Sequence, residues 1–500
     1  MTRLERVALS CFDNFPHAWR QFPSAMRSQI GNKIWVLDAL AAMLEIPRTK
    51  IEHTDHHRSH AASAFFASPY ESAAVLTIDG MGEDVSSAIW HGRGTQLECV
   101  RSIAYPHSIG LLYAAITAWL GFEVNEGEYK VMGLAAFGKP RFKAEFSELV
   151  RLQPNGEFEL EMSYFAFHTD SDIAFSSKME KILGPRRMRG KPWNLENDIQ
   201  DQHFADVAAS LQWITEEMIL RLAQQAQQAT GEDTLCLAGG VALNCVANAR
   251  ILRETGFKQV FVQPAAGDAG GALGAAMLGW IELAGSRPQA MSTAALGTGI
   301  SNDRARELCR SLDLTWEEPE DPFSSFARLI AQEKVGAFAR GRFEWGPRAL
   351  GQRSILASPC DAGMRDRINR VVKKRELFRP FAPAVLRSRS NDWFYEHDNH
   401  MTPFMTTTAR IQANRESSLG AVRHVDGSAR VQTVDQRSAV DLNHALEAVE
   451  ACGMPPVLLN TSLNGNGEPI VASEADALAF YLSHPLDFML VGDLLLTKRG

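Results

Sequence analysis

Four of the chain's 14 histidines fall within eight residues, His53-Thr-Asp-His56-His57-Arg-Ser-His60. The small apolar stretch that follows, Ala61-Ala-Ser-Ala-Phe-Phe66, predicts a helix leading out of the cluster, on which His56 and His60 stand one turn apart on one face. Two imidazoles so spaced can share a metal ion. HxxxH alone selects neither the metal nor the reaction. The zinc-protease pattern needs Glu directly after its first His, where this chain has His57. The bland alternative is a group of core or surface histidines. A third ligand must come from elsewhere, and Asp268, in a Gly-rich turn (PAAGDAGGALGAA), is the best candidate. Its spacing is equally that of a helix N-cap.

Two more turns have the composition of anion sites. Asp79-Gly80-Met-Gly82 follows an apolar run, and Gly239-Gly240-Val-Ala-Leu-Asn244 follows another and leads into a helix. Glycine permits the backbone geometry that turns N–H groups toward a phosphate, and helix N-termini favour anions. Neither turn matches the P-loop or the full dinucleotide pattern, and each alone is most simply a turn. Together with Gly267-Asp268 they make the loop set of an actin-like ATPase core. A third chemistry lies between Lys334 and Arg389, where 14 Lys and Arg face four acids, in a chain of net charge -8. Arg348 and Arg353 (GPRALGQRSIL) and Arg379 (FRPFAP) sit in apolar, Gly/Pro-rich context suited to capturing phosphate or carboxylate. Arg365, Arg367 and Arg370 fit one solvated side of a helix. Ser462 and Asn464 alternate onto one face of a strand, although Asn464-Gly465 is also a plain turn signal.

The elements that must position these groups follow an α/β rhythm. Ala73–Asp79, Val85–Trp90 and Leu97–Ile103 read as an antiparallel meander. Apolar residues from Phe204 to Leu222 have helical spacing. Strands at Leu235–Ala238 and Val260–Gln263 alternate with helices at Cys245–Glu254 and Gly270–Leu283. The small, polar stretch 284–302 reads as a boundary between a domain at 1–290 and another at 303–500, which opens with a helix at Phe326–Glu333 and a strand at Val335–Ala339. A length of 500 residues agrees with two domains. The acidic balance argues against broad adhesion to nucleic acid. No apolar run is long enough for a membrane span, and the first residues lack the apolar core of a signal peptide. Seven scattered cysteines without a CxxC predict a reduced, cytoplasmic chain.

Taken in order, the motifs DHHRSHAASAFFASPY, AVLTIDGMGE, GFEVNEGEYKVMGLAAFGKP, AGGVALNCVAN, QPAAGDAGGALGAA, GRFEWGPRALGQRSILASP, KKRELFRPFAPAVL, HVDGSARVQTV and LNTSLNGNGEPIV resemble the NodU/CmcH-type O-carbamoyltransferases over nearly the whole chain. The resemblance implies an α/β protein with an actin-like ATPase domain, similar to the transferase that makes threonylcarbamoyladenosine, followed by an α+β YrdC-like domain. It implies iron, or another divalent metal, on His56, His60 and Asp268. It assigns nucleotide contacts to Asp79, Gly80, Gly82, Gly239, Gly240, Asn244 and Gly267. Carbamoyl phosphate and its adenylate are assigned to Arg348, Arg353, Lys373, Arg375, Arg430, Ser462 and Asn464, through the fold's Lys-x-Arg and Ser-x-Asn signatures. Glu126, Glu128 and Lys130 match a segment near the transfer site, with Lys130 as a catalytic candidate and a charged surface turn as the alternative. The implied chemistry makes carbamoyladenylate from carbamoyl phosphate and ATP. The carbamoyl group then passes to a hydroxyl of a small molecule such as an antibiotic or sugar. Mg2+ with the ATP and a homodimer are left open.

One departure accompanies the resemblance. The family begins with a β-hairpin that carries the first phosphate turn, whereas MTRLERVALSCFDNF already resembles a later strand and helix, so the hairpin is expected to be missing. Three competing readings follow. A tRNA threonylcarbamoyl-type transferase would need a basic surface. Hydrogenase-maturation carbamoyltransferases carry further N-terminal regions. A degenerate binding or regulatory paralogue is opposed by the intact metal and phosphate residues.

Overall fold

The computed structural model describes Pro23, Met26, Arg27 and residues 33–153, 156–170, 172–395 and 399–498. The strand and helix expected in MTRLERVALSCFDNF lie outside the described residues. The protein is mixed α/β and divides into two compact units. One comprises the chain through Leu243 with Arg250–Lys258 and Ala266–Gln289. The other comprises Asn244–Ala249, Gln259–Ala265 and Ala290–Gly500.

The first unit contains α1 (His56–Phe65), β1 (Ser72–Gly82), β2 (Val85–Arg93), β3 (Gln96–Ala104), α2 (Ile109–Trp119), α3 (Ile199–Thr230), β4 (Thr234–Ala238) and α4 (Asp268–Ala284). The strands that belong to this unit follow the order β3-β2-β1-β4. β1 pairs antiparallel with β2 from Ser72–Arg93 to Ile78–Ser87, and parallel with β4 from Ala74–Leu235 to Thr77–Ala238. Flanked on both edges and covered on both faces, residues 73–78 are buried without alternation, which is why the sequence shows a continuous apolar run there.

α1 lies against α4 so closely that a Cβ on Gly274 would stand 1.8 Å from the Ser59 carbonyl oxygen. Only a residue without a side chain fits at that crossing. α3 runs well past the predicted 204–222. Asp198 caps its start, accepting from the Gln200 and Asp201 amides, and Gly231 ends it at φ +72°. The apolar spacing had marked only the part of that helix that touches the core.

The second unit contains β5 (Trp316–Glu317), α5 (Pro322–Ala331), β6 (Gly336–Ala339), β7 (Arg353–Ala357), β8 (Ala382–Leu386), β9 (Gln432–Val434), α6 (Val440–Ala451), β10 (Val457–Ser462), α7 (Glu474–Ser483), β11 (Phe488–Val491) and β12 (Leu494–Thr497). Its eight-stranded mixed sheet has the order β9-β8-β10-β7-β6-β11-β12-β5. Alternate residues feed two cores. Ile355, Leu459 and Met489 join one with Leu478 of α7, Ile368 and Val372. Leu356, Leu458 and Phe488 join the other with Phe326 of α5 and Leu446 of α6. The featureless stretch expected at 284–302 contains a strand, Ala295–Gly299, paired antiparallel with Arg342–Glu344. Its residues are small and mostly exposed, so no hydrophobic alternation announced it. Among the described residues no helix is long and apolar enough to cross a membrane.

Candidate functional site

In the first unit, α1 begins at His56, whose amide donates to Glu83 Oε2 at 3.1 Å. The helical repeat then stacks His60 on His56, and their Nε2 atoms are 3.0 Å apart. Asp79, near the end of β1, brings Oδ2 to 3.0 Å from His56 Nε2 and 2.9 Å from His60 Nε2. Its other oxygen accepts from the Gly80 and Gly240 amides, which fixes the carboxylate plane. Asp268, the first residue of α4, holds Oδ1 3.6 Å from both Nε2 atoms, with its side chain 81% exposed. Gly267 is the N-cap of that helix, and no side chain caps it. The four ligand atoms lie within 4.8 Å of one another.

Two ring nitrogens 3.0 Å apart, both against one carboxylate oxygen, need a positive charge between them. A proton meets that need in part: burial opposes the charge on His60, but the nearby Asp268 and Asp79 carboxylates outweigh it and push its pKa up to about 9. Asp79 is held below the usual carboxylate range, because the bonds to His56 and His60 overcome its burial. A divalent cation meets the need more fully. Metal–donor bonds of about 2.1 Å at right angles place the donors about 3.0 Å apart. Two imidazoles with carboxylates are a donor set suited to iron or zinc. The residues therefore fit such an ion. His57 plays another part: its Nε2–H donates to the Val85 carbonyl at 2.9 Å and its Nδ1 lies 2.9 Å from Thr77 Oγ1. Burial lowers its pKa to about 4, so it ties α1 to the sheet as a neutral group.

In the second unit, a π-helical turn, Ile368–Lys373, ends with Lys374 at φ +47°. It turns the Lys373 side chain, 2% exposed, onto the loop after β10. There Nζ donates to Asn464 Oδ1 at 2.7 Å, to the Asn464 carbonyl at 2.9 Å and to Ser462 Oγ at 3.2 Å. Burial, with Arg375 and Arg379 close by, holds this amine well below its ordinary pKa. Arg375 donates to Asn369 Oδ1 at 2.7 Å. Burial, with Arg348 and Arg379 alongside, pushes the Arg430 guanidinium down to about 9, and its buried Nε has no partner among the described residues. Arg379 has the Glu376 carboxylate 3.5 Å away, and a buried guanidinium such as Arg430 is costly unless it is paired.

Residues 10–277 match the family described as carbamoyltransferase N-terminus, and residues 327–498 match carbamoyltransferase C-terminus. The chain belongs to the carbamoyltransferase family. Nodulation protein NolO of Bradyrhizobium diazoefficiens is 38% identical, over 89% of this chain and 79% of its own. The 3'-hydroxymethylcephem-O-carbamoyltransferase of Amycolatopsis lactamdurans is 30% identical, over 89% and 80%. Uncharacterized protein sll1178 of Synechocystis sp. is 38% identical, over 100% of this chain and 86% of its own. The crystal structure of T. kodakarensis HypF covers 49% of this chain and 39% of that one, at 16% identity and a TM-score of 0.25, too slight a likeness to define the fold.

Within this carbamoyltransferase the geometry redistributes several of the expected roles. Asp79, expected at a nucleotide, faces the two histidines instead. Gly82, expected beside it, is needed because a Cβ there would come within 2.3 Å of the His56 ring. The amides of Gly80 and Gly240 are taken by Asp79, and that of Gly239 donates to the Ala266 carbonyl at 2.8 Å. Gly239, at φ +90°, lets β4 end against β1: a Cβ there would meet the Ile78 carbonyl at 2.2 Å. The buried Asn244 accepts from the Ala247 amide as a helix cap. Gly267 is open on its Cα side.

Lys130 sits 5.8 Å from the Phe122 ring centroid, and Glu128 supports its own turn by accepting from the Asn125 and Gly127 amides. Arg353 corrects its assignment to carbamoyl phosphate. It is 0% exposed, and its guanidinium donates to the carbonyls of Thr298, Arg340, Gly341, Gln352 and Ala472, so its N–H groups are already committed to the fold. Sequence reasoning missed the contact of Asp79 with the two histidines, because a strand-end Asp-Gly reads as a turn. It set Arg379 in a context suited to phosphate but left it out of the residues assigned to carbamoyl phosphate.

Proposed function

We propose that this carbamoyltransferase makes carbamoyladenylate in its second unit and transfers the carbamoyl group to a small-molecule hydroxyl in its first. Carbamoyl phosphate yields carbamate and phosphate by hydrolysis. A carbamate oxygen attacks the α-phosphorus of ATP, and the bond to the β-phosphate breaks, releasing pyrophosphate. An acceptor oxygen then bonds to the carbamoyl carbon and loses its proton as AMP leaves. The Arg348, Arg379 and Arg430 guanidiniums would neutralise phosphate charge, with Lys373 holding Ser462 and Asn464 in place beside them. His56, His60, Asp79 and Asp268 would hold iron(II) or another divalent metal, which supplies Lewis acidity toward the carbamoyl oxygen. The β3-β2-β1-β4 order supports reading the first unit as actin-like, and the Lys373–Ser462–Asn464 contact supports reading the second as YrdC-like. Free cysteines among the described residues agree with a cytoplasmic setting.

The observation that carries this reading is the opposition of the two sites, one assembled from cation ligands and the other from buried cations. The test is to incubate the protein with iron(II), ATP and carbamoyl phosphate and no acceptor. Pyrophosphate and carbamoyladenylate are expected, and metal-loaded protein that releases no pyrophosphate would refute the proposal.

A further inference from the structure

Glu344 is the one acid that the loop Trp345–Gln352 folds around. It is 2% exposed, and its Oε1 accepts from three amides, Leu350 at 2.9 Å, Gln352 at 2.9 Å and Arg353 at 3.0 Å. Three donors on one oxygen draw the far end of the loop back onto its beginning. The loop's carbonyls are fixed as well: Ala349 accepts from Asn460 Nδ2 and Leu350 from Gln432 Nε2. Two positions in positive φ close the turns, Gly346 at +118° and Gly351 at +106°. A Cβ on Gly351 would meet the Leu442 side chain at 2.5 Å. Arg348 is at the centre of this loop, next to Arg430. The segment around it is basic, and the buried Arg353 guanidinium lies within reach of its charge.

We propose that Glu344 is a positioning residue that presets the Arg348 loop for a phosphate, through the reach of its side chain to three amides. This rests on the reading that Arg348 serves carbamoyl phosphate. The second oxygen, Oε2, is buried without a partner among the described residues, and burial raises the carboxyl above its ordinary pKa. The length of the side chain, then, matters more than its charge. Glutamine keeps an oxygen at the amides, whereas aspartate falls short by one methylene.

The experiment measures dissociation constants of carbamoyl phosphate and, separately, ATP by calorimetry on metal-loaded protein. The chains compared are wild type, Glu344→Asp, Glu344→Gln, Arg348→Ala and Glu344→Asp/Arg348→Ala. Glu344→Asp is expected to weaken carbamoyl phosphate at least tenfold and ATP less than twofold. Glu344→Gln is expected within threefold of wild type. Adding Glu344→Asp to Arg348→Ala is expected to cost less than a further twofold, because a merely structural acid would weaken both backgrounds alike. The inference is overturned if folded Glu344→Asp binds carbamoyl phosphate as wild type does, if both ligands weaken equally, or if the two losses multiply in full. It is also overturned if neither Glu344 variant folds. If Arg348→Ala binds carbamoyl phosphate normally, the reading of the basic cluster fails first, and the inference falls with it.

Discussion

The two sites invert each other. In the first unit imidazoles and carboxylates converge on one point, and in the second unit guanidiniums and an amine gather where burial disfavours their charge. The first is placed by regular structure: one turn of α1, the end of β1 and the start of α4. The second is placed mainly by irregular backbone: a π-helical turn, a loop wound on Glu344, and the turn after β10. Rigid elements suit an ion that tolerates little error in its donors, and loops present backbone and long side chains to a polyanion.

The sharpest way to break this comparison is to empty one site and watch the other. Asp79→Asn or His60→Ala should lower bound metal at least about 100-fold, read by elemental analysis after desalting, with carbamoyl phosphate binding unchanged. The converse variant, Lys373→Met, should reduce pyrophosphate release by on the order of 100-fold while metal content stays at the wild-type level; loss of metal there would mean the sites are not independent. A smaller effect is expected at the α1–α4 crossing. Gly274→Ala inserts a methyl against the Ser59 carbonyl, costs about 2 kcal/mol of stability in denaturant unfolding, and shifts Asp268 away from the histidines. Its metal affinity should fall about tenfold, and unchanged affinity would show that α4 does not set the ligand distance.

An effect outside both sites concerns His424, whose Nε2 is buried without a partner among the described residues. Burial lowers its pKa to about 4 despite Asp426 nearby, and Arg430 and Arg365 add to the depression. The unfolded chain therefore binds a proton that the folded chain refuses between pH 6.5 and about 4, and stability falls as pH drops through that window. His424→Gln should flatten the slope by up to about 3 kcal/mol across it, measured as the shift of the urea midpoint with pH. A wild-type slope in the variant would remove His424 from the acid response.

Much of the first site was legible because helical periodicity is local: the spacing of His56 and His60 fixes their shared face whatever the rest of the chain does. Asp268 was only half legible, since an acid at the mouth of a helix can cap it, and the structure gives the capping position to Gly267. The contact of Asp79 with the histidines was not legible, because these partners are 19 and 23 residues away and meet it only after β1 has paired on both edges. In the second site charge was visible and its use was not. Arg353 and Arg348 look alike in sequence, yet one is spent on five carbonyls and the other lies beside Arg430. Burial and hydrogen-bond accounting decide between such residues, and neither is written in composition.

The π-helical turn at Ile368–Lys373 carries a cost that mutation could expose. A wider turn holds one residue more than an α-helix needs, and shortening it by one would favour the tighter coil and a sturdier fold. The same deletion would rotate the last residue by about 100° and swing the Lys373 amine away from Ser462 and Asn464. At this point in the chain a more heat-resistant variant and a working one are expected to be different molecules.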